Sequence, residues 1–403
     1  MELNIERLVV LLLVAATVSM LGRKLRLPYT VGLVLTGSAL ALSPLSLDIA
    51  LTRSLIFTAF LPPLIFEAAL QIPWKEMRRD LLPTLVLATL GVLLAAGVAA
   101  VGMHSLVQWP WETALLLGVL LAATDPVSVI ATFKEAGVEG RLRLLVEAES
   151  LFNDGTAAVL FGVALAATGG PGMGAWAVTQ SFCVTVLGGV LCGALVGGGA
   201  LLLVGRTEDH LVEITFTLIA AYGSFLLAEH FHLSGVLATL TAGMLLGNLG
   251  SLGILTDKGR AEVISFWEYI AFVVNSLIFL LIGIRLAHHS FGAVLIPIVA
   301  AIVLVLLGRA LAVYGCCLLF QRSRWRVTAV HQHILFWGGL RGALALALVL
   351  GLPAALPLRE TLITVTFAVV AFSVIVQGLT ITPLLRQLGQ IEPSSRAREA
   401  EEL

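Results

Sequence analysis

The chain has 403 residues, 59% of them hydrophobic and only 12% charged, with a formal net charge of −1. Soluble globular chains carry about a quarter charged residues, so this composition excludes a soluble fold and describes a polytopic membrane protein. Cys183, Cys192, Cys316 and Cys317 lie in apolar runs without metal-ligand spacing, which argues against a disulfide framework.

A membrane-crossing helix needs roughly 20 apolar residues, somewhat fewer inside a bundle. About thirteen spans are predicted, near 7–22, 28–44, 50–70, 81–103, 112–133, 143–168, 174–205, 209–228, 233–250, 262–286, 291–320, 327–351 and 359–385. The first follows Glu2 and Glu6 and precedes Arg23, Lys24 and Arg26, the reverse of a signal peptide's charge order, so it is read as a retained span. With the N-terminus outside, only Arg7, Arg53, Arg285 and Arg359 fall on the outer side, and Arg309 and Arg341 lie within spans. The other 18 of the 24 lysines and arginines fall on the inner side, which by the positive-inside rule places the C-terminus in the cytoplasm. Residues 1–386 read as one membrane domain and 387–403 as a short polar cytoplasmic tail.

Thirteen spans divide into six, a linker and six, with opposite orientations: a first repeat at 7–168, a linker helix at 174–205 and a second repeat at 209–385. Such repeats predict helix breaks at matching places. The fifth span carries "AATDPVSV" at its middle and the twelfth carries "WGGLRGALA". Pro126 removes a backbone donor and pushes Asp125 out of α geometry, whereas Gly338, Gly339 and Gly342 are expected to loosen the twelfth span less strongly. The fold class is therefore all-α, polytopic, with inverted six-helix repeats and discontinuous helices crossing near mid-membrane.

The sixth span contains "VEAESLFNDGTAAVLFGVALAAT". Were "NDG" a turn, its flanks would be too short to cross and the charge alternation would fail, so one helix is expected. On that helix Ser150 and Asp154 share a face at i, i+4 spacing, with Glu149 and Asn153 on the adjacent stripe. Ser150, Asp154, Asp125 and the freed carbonyl of Thr124 together offer oxygen ligands for a small hard cation. Unpaired charge at this depth is costly, so a carboxylate here holds either a proton or a cation. Arg341 is the expected counter-charge of Glu149. Glu67, one turn after Pro62 and Pro63 in the third span, either joins the site or snorkels to the inner surface. Glu268, Asn275 and Arg309 are read as structural partners within the bundle, and the histidines mostly as span-end residues, with His210 in a loop.

Six segments, "LPPLIFEAAL", "ATDPVSV", "EAESLFNDGTA", "SGVLATLTAGMLLGN", "NSLIFLLIG" and "WGGLRGALALAL", resemble the monovalent cation:proton antiporter-1 family of sodium/proton exchangers. The resemblance implies a homodimer that exchanges sodium or lithium for protons electroneutrally by alternating access. It carries the ion site onto Thr124, Asp125, Ser150 and Asp154, with Glu67 nearby through water. Asn153 corresponds to the asparagine of the family's Asn-Asp pair; an aspartate there marks electrogenic relatives. Glu149 and Arg341 correspond to the family's stabilising ion pair. Neither a cofactor nor a nucleic-acid partner is implied, since sodium, lithium and protons are cargo. The long regulatory tail of animal members is missing, which points to a prokaryotic plasma (inner) membrane.

Other classes fit less well. An intramembrane aspartyl protease would also set two aspartates on adjacent spans, but Leu151-Phe152-Asn153-Asp154 lacks that class's glycine pattern. A cation channel suits paired broken helices less than rocking about a single site does. Potassium/proton exchange on the same fold stays open.

Overall fold

Apolar segments in a bilayer must satisfy their backbone internally, and long runs of Leu, Val and Ala do so as helices. The computed structural model describes residues 5–25, 27–43, 51–125, 129–130, 133, 137–168, 174–207, 209–249, 257–288 and 291–391, and every regular element among them is helical. In chain order these are α1 (Ile5–Leu25), α2 (Tyr29–Ala41), α3 (Leu55–Gln71), α4 (Trp74–Val107), α5 (Trp111–Leu120), α6 (Arg141–Thr168) and α7 (Ala175–Val204). There follow α8 (His210–His230), α9 (Gly235–Leu249), α10 (Asp257–Ala287), α11 (Leu295–Leu318), α12 (Ala329–Trp337), α13 (Ala343–Leu350) and α14 (Arg359–Gln387).

Helices α4, α6, α7, α8, α10, α11 and α14 are long and apolar enough to cross a membrane, and α2, α3, α5 and α9 are shorter apolar helices. With α1 and the broken pair α12–α13, the order matches the expected set of about thirteen spans. Helix α4 starts earlier than its apolar run. Its first turns are amphipathic: Lys75, Arg78 and Arg79 are exposed while Met77 and Asp80 are buried, Asp80 held by Arg141 at 2.7 Å. In α3, Pro62 and Pro63 follow a π turn at Leu55–Phe60, and the helix continues through them.

Lipid removes most of the hydrophobic drive between helices, so close packing through small residues holds the bundle. Helix α2 packs on α10, α9 on α3, and α4 on α11. At the first contact Gly37 faces the backbone of Leu280 and Gly283, and the Ser38 hydroxyl donates to the Gly283 carbonyl at 3.0 Å. At the second, Gly247 faces the backbone of Leu70. Exchanging α2 with α9 and α10 with α3 turns the first contact into the second. The outer face of α11 (Leu295, Val299, Val303, Leu307, Leu311) stays exposed for lipid, while Ala301, Leu304, Val305 and Arg309 face inward.

A Cβ at Gly283 would overlap the Val34 carbonyl and crowd the Ser38 amide, whereas one at Gly198 on α7 meets nothing within 4 Å. Gly283→Ala should therefore cost about 1–3 kcal/mol from overpacking. Gly198→Ala should be neutral or stabilising by up to about 1 kcal/mol, since alanine suits a helix interior better than glycine. Thermal denaturation of the purified protein in detergent reads both. Equal shifts for the two variants would contradict the close α2–α10 approach.

Candidate ion-binding site

Helix α5 ends at Leu120; Leu121 and Ala122 form a turn, and Ala123 to Asp125 leave helical geometry. Pro126, expected to force this break, lies outside the described residues. Helix α12 ends at Trp337 and α13 begins at Ala343, so Gly338, Gly339 and Gly342 mark a full interruption rather than the looser stretch expected. The two interruptions touch. The Asp125 amide donates to the Leu340 carbonyl at 2.7 Å, and Arg341 Nη1 donates to the carbonyls of Ala122 and Ala123 at 3.1 and 3.0 Å. Gly342 lies against Asp125 so closely that a Cβ there would collide with the carboxylate.

Helix α6 runs unbroken from Arg141 to Thr168, so "NDG" is helical as expected. Its Ser150 Oγ accepts a hydrogen bond from Thr124 Oγ1 at 3.1 Å, with both residues buried. The Asp154 carboxylate stands one turn further along the same face of α6. Its Oδ1, like Asn153 Oδ1, is buried without a hydrogen-bond partner among the described residues. A cavity of about 490 Å³ is lined by Thr124, Asp125 and Asp154 and extends past Glu67 to Gln71, Arg143 and Glu147. Ser150 stands behind Thr124, off the cavity wall. Glu67 faces the cavity and accepts from Gln71 Nε2, so it belongs with the two aspartates instead of pointing to the surface. The carboxylates of Asp125 and Asp154 with the oxygens of Thr124 form a hard-oxygen donor set suited to a small cation.

The ion pair differs from expectation. Glu149 is gripped by Arg309, with Nη1 to Oε1 at 2.7 Å and Nη2 to Oε2 at 2.9 Å; Asn153 Nδ2 donates to the same carboxylate at 3.2 Å. Arg309 Nη2 also reaches the Leu335 carbonyl at 2.9 Å. Arg341, expected on Glu149, instead places its Nη1 on the carbonyls that the α5 break exposes. Gly339 makes the exchange of partners possible, because a Cβ there would occupy the Arg309 guanidinium. Tyr29, Glu268 and Asn275 also line the cavity, Tyr29 stacked on Phe272 at 6.2 Å between centroids. Tyr29 gave no signal in the sequence, since tyrosine at a span end is the ordinary interfacial residue.

With that geometry in view, the comparisons with known proteins are consistent. A family model described as "Sodium/hydrogen exchanger, transmembrane" matches residues 9–387. The chain belongs to the sodium/hydrogen exchanger family. It is 38% identical over 410 residues to the low-affinity Na(+)/H(+) antiporter NhaS1 of Synechocystis sp., covering 99% of this chain and 78% of that protein. It is 39% identical over 413 residues to the Na(+)/H(+) antiporter ApNhaP of Aphanothece halophytica, with the same coverage. Its fold matches that of the sodium proton antiporter MjNhaP1 from Methanocaldococcus jannaschii with a TM-score of 0.76 at 20% identity, over 97% of this chain and 99% of that one. As a member of this family, the chain is a transporter.

Removing one partner of a buried ion pair strands the other, at roughly 3–5 kcal/mol. Glu149→Gln and Arg309→Ala should each lower stability in detergent, and the double variant should lose much less than their sum. In a parallel cycle, Glu149 and Arg341 should couple weakly. Stronger coupling of Glu149 to Arg341 than to Arg309 would overturn the pairing.

Proposed function

We propose that the chain exchanges sodium or lithium for protons across the plasma membrane, electroneutrally, at one shared site centred on Asp154. The observation that carries this reading is the crossing of the two helix interruptions, beside which Thr124, Asp125 and Asp154 line one cavity. Asp154 binds either a proton or the cation; Asp125 and the oxygens of Thr124 complete the cation's shell, Ser150 supports Thr124 from behind through their hydroxyl bond, and Glu67 contributes through water. Asn153 cannot titrate, and Glu149 is tied to Arg309, so neither adds a second proton. The cavity ends at Gln71, Arg143 and Glu147, the helix ends that the charge pattern assigns to the cytoplasm. The conformation is thus inward-facing. Access alternates as the repeats at 7–168 and 209–385, joined by the linker helix at 174–205, rock about the site. The N-terminus lies outside, the working unit is a homodimer, and the physiological role is pH homeostasis.

Asp154→Asn should abolish exchange while the protein still folds and inserts. The assay is proton movement in reconstituted vesicles, followed with a pH dye after pulses of sodium, lithium or potassium. Substantial sodium-driven proton movement in the variant would move the shared site elsewhere.

Competition at one carboxylate also fixes the pH response. At low pH protons occupy Asp154, and at high pH few remain to displace the ion on the return, so activity should trace a bell. Raising sodium should shift the acidic arm to lower pH, because more protons are then needed to exclude the cation. A potassium–valinomycin potential should leave initial rates unchanged. A reversing current, or an acidic arm that stays fixed as sodium rises, would rule out the single-carboxylate mechanism.

A further inference from the structure

In an uninterrupted helix the amide of Arg341 would donate to the carbonyl of Trp337, four residues earlier. The interruption at 338–342 parts these two groups, Arg341 buried and Trp337 half-buried, within a membrane-spanning segment where an unmet backbone group is costly. Two side chains of α14 stand in for the lost bond. The Arg341 amide donates to Ser373 Oγ at 2.9 Å, the Ser373 hydroxyl donates to Gln377 Oε1, and Gln377 Nε2 donates to the Trp337 carbonyl at 3.1 Å. Ser373 and Gln377 are buried, and they bound a π turn in α14. Such turns recur at functional sites, because they displace side chains from the ordinary helical register.

What this bridge holds is the segment that contacts the ion site. Leu340 accepts from the Asp125 amide, Arg341 clasps the carbonyls of Ala122 and Ala123, and Gly342 lies against the Asp125 carboxylate. The height of residues 338–342 therefore sets where Asp125 and the Thr124 backbone stand relative to Asp154. We propose that Ser373 and Gln377 are positioning residues: by splicing the opened helix they set the spacing of the cation's oxygen ligands, and so the affinity for the ion. The inference rests on the reading of the site as a sodium/proton exchange centre.

The test uses the full chain in vesicles and compares half-saturating sodium, maximal rate and pH profile. Gln377→Met keeps the volume without hydrogen bonds, Ser373→Ala removes the acceptor, and Ser373→Thr keeps the hydroxyl. Thr380→Val is the control: it removes the bond from the Trp337 indole to Thr380 (2.8 Å), on the exposed side of the same two helices. Gln377→Met and Ser373→Ala should each raise half-saturating sodium about five- to tenfold, the scale of one buried hydrogen bond lost. Maximal rate should stay within about twofold, as expected when binding rather than turnover is weakened. At fixed sodium the acidic arm should move to higher pH, because a weaker-bound cation competes less well with protons. The double variant should be little worse than either single, and Ser373→Thr and Thr380→Val should resemble the unaltered chain.

Unchanged half-saturating sodium in both variants would overturn the assignment, as would Thr380→Val shifting it equally. Loss of folding in all three bridge variants would make the pair structural and overturn it too. If the unaltered chain moved no protons on any cation pulse, the exchange reading itself would fall, a result distinct from normal exchange with insensitive variants.

Discussion

A helix that stops inside a bilayer must find partners for the backbone groups it releases, because lipid offers none. This constraint organises the molecule. The α5 interruption frees the carbonyls of Ala122 and Ala123 and the Asp125 amide; the α12–α13 interruption frees the Leu340 carbonyl and supplies the Arg341 side chain. Each break satisfies the other through three hydrogen bonds. Asp125 and the Thr124 backbone are thus held by geometry that neither helix could keep alone.

The charges around the crossing follow from the same arrangement. Arg309 and Glu149 form a closed pair that stands apart from the cavity, bonded at both guanidinium nitrogens and supported by Asn153. Arg341 spends its Nη1 donor on carbonyl dipoles, so its positive charge stays beside Asp125 and Asp154 without being bonded to either. Uncompensated charge in this setting would cost far more than at a surface.

Much of this was legible in the sequence, and what was missed has a physical reason. Apolar run length located the spans, and the sequence singled out Asp125 and Asp154, which line one cavity. The partner of Glu149 was not legible. Arg309 and Arg341 both lie in apolar runs, and spacing along one helix says nothing about which neighbour it faces. What decided the pairing was the depth of the α12–α13 interruption, which the glycines alone understated. A full break turns Arg341 towards the freed carbonyls, and Gly339 then leaves room for Arg309. Ser373 and Gln377 were invisible for a related reason: their partners are backbone groups that become available only once the helix has opened.

The tight helix pairs also determine where the molecule can move. Helices α2 and α10, and likewise α3 and α9, meet backbone to backbone through glycine, which leaves no slack between them. The cavity instead separates α2, α3 and α10 on one wall from the two interruptions and α6 on the other. Towards the opposite ends these walls come together: the π turn of α3 packs against α13, and Gly351, just after α13, abuts the side chain of Arg53. One side of the site is therefore open and the other sealed by packing between the same two walls. Rigid, close-packed bodies rearrange as units rather than deforming. The proposed alternation of access would then part α3 from α13 while closing the cavity around Glu67 and Asp154. The glycine contacts that make each body rigid need not change at all.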